Sequence, residues 1–360
     1  MTAEPSSVAL VLGTSAGGVG RHVRSLAGRF VADGLRVVVA GPDPTQETFD
    51  FAGTGATFVR VHITRPGTEA LAVPALRRAT ADVDVVHAHG LRAGLAGVFS
   101  RRRPLVVTLH NAVLNEGPSR ILLTAGERVV ARGADVVLGV SPDLVAHARA
   151  LGAKDARFVP VAAPRLKPVR DAAAVRAELG LTDRQALILC VARLHPQKGL
   201  PVLVQASRRW AGLDPAPLVA VVGDGPLAVT LADQIAAERA PVRLLGRRED
   251  IADLISVADV VVLPSLWEGW PLVLSEALQL GRPIVATKVG GVPDLVRDAA
   301  VLVPAADTDA LAAAVASLIQ RPGQRRELTQ RARRRAMGLP TADVTADAVL
   351  AVYRGLVSSQ

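Results

Sequence analysis

Two glutamates eight positions apart, Glu268 and Glu276, bracket the segment Glu268-Gly-Trp-Pro-Leu-Val-Leu-Ser-Glu276. An ionised carboxylate only accepts hydrogen bonds and takes two donors at once, so the pair suits two separate sets of hydroxyls. The apolar run ADVVVLPS precedes them and reads as a strand, which puts Glu268 in the loop that follows. Pro271 suits a first helical position, and 272–280 reads as a helix with Glu276 just over one turn in. The stretch Gly269, Trp270, Pro271, Leu272 and Val273 leads into this helix, and N–H groups near a helix start can hold phosphate oxygens. A second pair of chemical interest is Arg193 and Lys198, after the apolar run ALILCVA and just before Gly199. Two fixed cations beside a helix N-terminus make a diphosphate clamp. In a transfer reaction they offset the charge that develops on a leaving nucleoside diphosphate.

Glycine loops and histidines mark further strand ends. Gly13-Thr-Ser-Ala-Gly17-Gly18-Val-Gly20-Arg21 follows the first apolar run and opens a helical pattern, a loop through which backbone can approach phosphate. It matches neither dinucleotide fingerprint nor P-loop: Val23 stands where a third glycine is required, and Val19 where a lysine is. Gly223-Asp-Gly225-Pro226 is a similar, shorter turn. His87 and His89 lie two apart on a strand and so face one side. A metal site there lacks a third ligand nearby in sequence; hydrogen bonding at a cleft wall, or plain packing, is the better reading. His110 ends the run VVTLH and has the type and place to hydrogen-bond a sugar or assist proton movement.

These residues need elements to hold them. Short, continuously apolar runs alternate with helical patterns, as expected of strands covered on both faces. In the first half, strands are expected near 7–13, 35–40, 57–61, 84–88, 104–109, 134–139 and 156–159, with helices such as 18–33, 68–80, 118–131 and 141–150. Around 160–185 the proline-rich stretch VPVAAPRLKPV reads as a linker. Strands follow near 186–192, 218–223, 242–245, 259–263, 283–286 and 300–303, and the chain beyond 305 reads as helical. The fold class is therefore α/β: a Rossmann-like domain over 1–165, a second over 166–340, and a last helix in 341–360 that packs back on the first. In doubly wound folds ligands bind beyond the carboxyl ends of the strands; with two facing halves that means a cleft between them.

Bulk properties narrow the function classes. The single cysteine, Cys190, excludes an internal disulfide framework and any cysteine zinc site, and its apolar surroundings make it a core thiol. No basic leader and no long uncharged apolar stretch is present, so the expected location is cytoplasmic, with peripheral contact at the inner membrane face in view. Residues 1–165 carry 19 Lys/Arg against 13 Asp/Glu, a net +6 out of +9 for the chain. That basic lean fits an acceptor or an anionic membrane surface, to which Arg101-Arg102-Arg103 would contribute. Nucleic acid is excluded, because the basic stretches carry no interleaved aromatics.

The Glu268/Glu276 pair, the Arg193/Lys198 clamp, the loop GGVGRHV and the segment GRPIVATKVGGVPDLV occur in one order that resembles the retaining family-4 glycosyltransferases of the GT-B fold, over nearly the whole chain. The resemblance implies two Rossmann domains around a deep cleft and a nucleotide-diphosphate-sugar donor bound by the second half. Glu276 would hold the ribose, Glu268 the transferred sugar, and Arg193 and Lys198 the diphosphate, with Gly17 and Gly18 approaching the phosphate from the first domain. His110 matches the family's cleft histidine, and Gly246-Arg247-Arg248 its base-binding loop. The implied transfer retains the anomeric configuration and uses no metal and no other cofactor. The acceptor, whether small molecule, glycan or lipid-linked, is not encoded in a readable way; loops such as 41–56 and 111–118 would choose it. Competing readings are a nucleotide-sugar epimerase or phosphorylase on the same fold, or a non-catalytic nucleotide-sugar-binding protein.

Overall fold

The computed structural model describes residues 4–15, 17–64, 69–112 and 118–358. The chain forms two compact units, Met1–Ala162 with Pro340–Gln360 and Ala163–Leu339. Each is a parallel sheet with helices interleaved along the chain, and the two are Rossmann-like domains.

In the first unit, strands β1 (Ser7–Leu12), β2 (Arg36–Gly41), β3 (Thr57–Arg60), β4 (Val85–His89), β5 (Leu105–Leu109), β6 (Val136–Gly139) and β7 (Ala156–Phe158) pair in the order β3-β2-β1-β4-β5-β6-β7. Helices α1 (Gly18–Ala32), α2 (Asp43–Phe49), α3 (Glu69–Ala79), α4 (Leu91–Ser100), α5 (Pro118–Gly133) and α6 (Pro142–Ala150) connect them. The order reverses between β1 and β4, so the crevice outside their carboxyl ends is the ligand position of this topology. Register sets His87 opposite Leu10 and Val106, and His89 opposite Leu12 and Thr108. Both histidines are thereby locked into the middle of the sheet.

The second unit repeats the plan with β8 (Leu187–Val191), β9 (Leu218–Val222), β10 (Val242–Leu244), β11 (Val260–Leu263), β12 (Ile284–Thr287) and β13 (Val301–Val303), ordered β10-β9-β8-β11-β12-β13. Its helices are α7 (Ala172–Glu178), α8 (Leu200–Ser207), α9 (Ala228–Glu238), α10 (Ile251–Val257), α11 (Leu272–Gln279), α12 (Val292–Val296), α13 (Thr308–Gln320) and α14 (Pro322–Met337). The reversal now lies between β8 and β11, the strands that precede Arg193/Lys198 and Glu268. Cys190 is a free, fully buried core residue on β8, and burial pushes its thiol up to about 12.

The last helix, α15 (Ala342–Val357), belongs to the first unit. Its Val349, Leu350, Val352 and Tyr353 join Phe30 of α1 and Val85 of β4 in one core cluster. Arg29 on α1 bonds Asp343 and Asp347, and the Thr345 hydroxyl donates to the Pro160 carbonyl.

Several sequence expectations change. Residues 41–56 are not plain loop: α2 and a 3-10 turn at Ala52–Thr54 occupy them, because Phe49 and Phe51 need burial. The expected linker stretch VPVAAPRLKPV carries no helix or strand, and α7 follows it, its Asp171 side chain accepting from the Ala174 amide as an N-cap. Of the other expected acceptor loop, 111–118, residues 113–117 lie outside the described residues. Three of the six arginines on α14 donate to backbone carbonyls: Arg325 to Leu318 and Ile319, Arg331 to Asp298, and Arg335 to Leu295 and Asp294.

Candidate active site

In the second unit, the loops after β8 and β11 bring the two sequence pairs together. Lys198 Nζ lies 2.6 Å from Glu268 Oε1, although the residues are 70 positions apart. The Ser265 hydroxyl donates to the same oxygen at 2.6 Å. Glu268 is 5% exposed, so its charge is balanced inside the protein rather than by solvent. Removing one partner of such a buried pair costs about 3–5 kcal/mol, because the other charge stays desolvated. Gln197 braces the corner: its amide side chain donates to the Trp267 carbonyl at 2.9 Å, and its carbonyl accepts from Leu266 N at 2.8 Å. Thr287, at the end of β12, donates to the Ser265 carbonyl at 2.5 Å.

Two glycines permit this closeness. Gly199 is left-handed (φ +61°), and a Cβ there would overlap the Pro264 carbonyl. Gly290 (φ +47°) is pressed against the Glu268 carbonyl, which also accepts from Gly291 N at 3.0 Å. Any side chain at either place would displace the Glu268 loop.

Pro271 is the N-cap of α11 rather than its first helical residue, with an extended backbone (ψ 113°). Because proline offers no side-chain oxygen, the first-turn amides of α11 receive no side-chain cap, and Leu272 and Val273 are half-buried there. Gly269, Trp270 and Glu276 are buried around them, Glu276 at 3% exposure on the second turn. Arg193, by contrast, is exposed.

The turn at 223–225 braces the Arg193 loop. Leu194 N donates to the Asp224 carbonyl at 2.7 Å, and Gly223 N to the Gly246 carbonyl at 2.8 Å. Both Gly223 (φ +138°) and Gly225 (φ +149°) sit against carbonyls of Ala192 and Leu194, so these glycines already have a reason internal to the fold. Arg247 is exposed. Its neighbour Arg248 is spent on Asp250 (2.6 Å) and Glu178 (2.8 Å).

The first unit presents a different chemistry at its equivalent edge. Gly17 caps α1 and Gly18 begins it; a Cβ on Gly17 would meet nothing, whereas one on Gly20 would overlap the Phe49 ring. Gly20 is therefore needed for packing, whereas Gly17 has open space. His110 follows β5, half-buried, and meets His89 at 3.2 Å (Nε2 to Nδ1). His22 of α1 stands edge-on to both rings, with centroids at 5.6 Å from each. His87 stacks on His89 at 4.2 Å. Its own nitrogens are bonded to Tyr353 Oη and Thr108 Oγ1, each at 2.6 Å. Burial pushes all four imidazoles down, His22 to about 4 and His87 to about 3, with His89 and His110 also well below the usual range. At neutral pH the cluster is uncharged.

Sequence reading missed His22, Ser265, Gln197 and Tyr353. His22 lies in the loop GGVGRHV and Ser265 at the end of ADVVVLPS, but only the fold shows what they touch. Of the basic run before β5, Arg101 pairs with Asp135 at 2.5 Å and Arg103 donates to the Ala81 carbonyl at 2.8 Å, so two of its three charges are engaged within the protein. Among the described residues no group of three potential ligands is arranged to hold a metal ion, and no helix is long and apolar enough to cross a membrane.

A doubly wound pair of domains with a cation–carboxylate corner at a switch point has the attributes of a sugar transferase, and comparison with known proteins supplies the family. Residues 171–335 match the model for glycosyl transferases group 1, and residues 17–164 match a glycosyl transferase 4-like domain. The chain belongs to the group 1, GT-B glycosyltransferases and is an enzyme of that class. It is 31% identical over 299 residues to the D-inositol 3-phosphate glycosyltransferase of Mycobacterium avium, covering 75% of this chain and 69% of that one. It is 32% identical over 301 residues to that of Mycobacterium tuberculosis, covering 75% of this chain and 61% of that one. Among solved structures, Anabaena HepE in complex with UDP-glucose has the same fold, with TM-score 0.82, 21% identity, and coverage of 97% of this chain and 100% of that one. Sucrose-phosphate synthase of Thermosynechococcus elongatus also matches, at TM-score 0.82 and 23% identity over 99% and 100% of the two chains.

Proposed function

We propose that the protein moves a sugar from a nucleotide-diphosphate-sugar donor to an acceptor hydroxyl with retention of anomeric configuration and without a metal. The observation that carries this reading is the 2.6 Å Lys198–Glu268 pair, which joins the cation of one motif to the carboxylate of the other in one buried corner. In this reading Arg193 and Lys198 bind the diphosphate, and the N–H groups of Gly269, Trp270, Leu272 and Val273 around Pro271 add neutral donors to sugar and phosphate. Glu268 accepts from sugar hydroxyls, and Glu276 accepts from the ribose diol. Gly223, Gly225 and Arg247 line the donor's nucleotide side. From the first unit, His110 would hydrogen-bond the transferred sugar, and Gly17 and Gly18 would offer backbone to the diphosphate.

The bond between the anomeric carbon and the diphosphate oxygen breaks, and its electron pair leaves with the nucleoside diphosphate. The acceptor oxygen bonds to the same face of that carbon, and its proton passes to the leaving phosphate oxygen. Arg193 and Lys198 stabilise the charge that forms there, which is where fixed electrostatics accelerate most. Glu268 is held by Lys198 and Ser265, an arrangement suited to orienting a sugar and not to a back-face nucleophile.

The relatives' names make D-inositol 3-phosphate the first acceptor to try, and the basic lean of residues 1–165 is consistent with an anionic one. Peripheral contact with anionic membrane would use Arg128, Ile121 and Leu122 on the outer side of α5, where the two aliphatic residues are each 76% exposed. Thermal-shift screening with UDP, GDP and ADP sugars, followed by donor hydrolysis in EDTA and by NMR of the product anomer, tests the reading. Retained activity in EDTA with retained configuration is expected; an inverted product, or a trapped covalent glycosyl-enzyme, would overturn the mechanism.

A further inference from the structure

Three ring nitrogens in the first unit decide where a proton sits. His89 Nδ1 and His110 Nε2 are 3.2 Å apart, so one donates and the other accepts. His89 Nε2 is buried and has no hydrogen-bond partner. If His110 donated, His89 would carry its proton on Nε2 and leave a buried N–H orphaned. If His89 donates, Nε2 is a bare lone pair. Orphaned buried donors are rarer than under-satisfied acceptors, because an N–H stripped of water recovers nothing elsewhere. The second arrangement therefore wins.

We propose that His89 is a positioning residue that fixes His110 as a neutral imidazole with its proton on Nδ1, so that His110 presents a hydrogen-bond donor to its ligand and not a base. The remaining imidazoles hold His89 in place. His87, stacked 4.2 Å beneath it, has both nitrogens committed to Tyr353 and Thr108, so it cannot take His89's proton or turn toward it. His22 closes the other side edge-on to His89 and His110. A second ring nitrogen that is oriented by a neighbour in this way sets the tautomer of the first. Tyr353 lies on α15, so the helix that follows the second unit in sequence supports the first unit's ring cluster.

The catalytic consequence rests on the proposed contact between His110 and the transferred sugar; the tautomer does not. The test is long-range nitrogen–proton NMR of the full chain with ¹⁵N-labelled histidine, assigned with single histidine variants. The wild type should show His110 protonated on Nδ1 in the absence of any ligand. His89→Asn places an amide donor near the Nδ1 position and should keep both the tautomer and the turnover. His89→Gln places its amide near the Nε2 position, and should shift His110 toward the Nε2–H form and lower kcat by about tenfold with little change in KM, as loss of an orienting partner does. A wild-type His110 protonated on Nε2, or a His89→Gln variant with unchanged tautomer, overturns the proposal. Should either variant fail to fold, the wild-type spectrum still decides the tautomer. Full activity of His110→Gln beside an Nδ1–H wild type would sink the sugar contact and leave the tautomer assignment standing.

Discussion

The two units carry the same topology and place their chemistry at the same edge of the sheet, yet they solve the problem of buried polarity in opposite ways. The second unit buries a carboxylate, Glu268, against a half-buried counter-charge, Lys198. The first buries three imidazoles and half-buries a fourth, and desolvation keeps them neutral. A charged corner interacts strongly with a dianionic diphosphate and with the charge that grows on it. A neutral cluster can only exchange hydrogen bonds, which suits hydroxyls. In the proposed function, the same scaffold would separate electrostatic work from orienting work by the residue types set at its strand ends.

The largest effect should come from breaking the charged corner. Lys198→Ala is expected to lower kcat/KM by at least about a hundredfold, the usual cost of one transition-state donor, and to destabilise the second unit because Glu268 loses its cation. Steady-state kinetics with a donor found by screening, together with thermal melting, would measure both. If kinetics and melting point both stay at wild type, the corner is not the electrostatic centre.

Acid should weaken the first unit through its histidine cluster. The four histidines have folded pKa values below the unfolded value of 6.5, so between 6.5 and the folded value, about 4 for His22, the unfolded chain binds protons that the folded one does not. Their stabilising contribution is complete above 6.5 and is lost as pH falls below it, by about 1.4 kcal/mol per pH unit over that window for His22. Melting followed from pH 7.5 to 5 should show this decline, and His22→Gln should flatten it. A pH-independent melting point over that range would mean the imidazoles are not desolvated as placed.

Backbone packing gives a finer contrast. Gly20→Ala should cost about 1–3 kcal/mol of stability in the first unit, because its Cβ would overlap Phe49. Gly17→Ala meets no neighbour and should leave stability unchanged while weakening donor binding, if backbone approach is what that position serves. Smallest of all, Tyr353→Phe removes the bond to His87 and should cost about 1 kcal/mol, read by chemical denaturation.

Much of this contrast could be read from the chain before folding. Continuous apolar runs located the strands, and glycine, cation and carboxylate at their ends located the charged corner, because each motif is local in sequence. The pairing of Lys198 with Glu268 was not readable, since it depends on β8 and β11 being neighbours across the sheet reversal. The histidine cluster was harder still. His22, His87, His89 and His110 come from three separate elements, and Tyr353 from the last helix, so no spacing rule joins them. Helix α2 escaped because its driving force is burial of Phe49 and Phe51 and not a long amphipathic period.

In the proposed function the Lys198–Glu268 corner is the donor's diphosphate site. Calorimetric titration of UDP, GDP and ADP into the wild type and into Lys198→Ala tests it most directly. At least one nucleoside diphosphate should bind the wild type and lose about tenfold or more in affinity in the variant, the equivalent of roughly 1.4 kcal/mol or a single charge-assisted contact. Equal affinity for the wild type and a folded variant would contradict the claim.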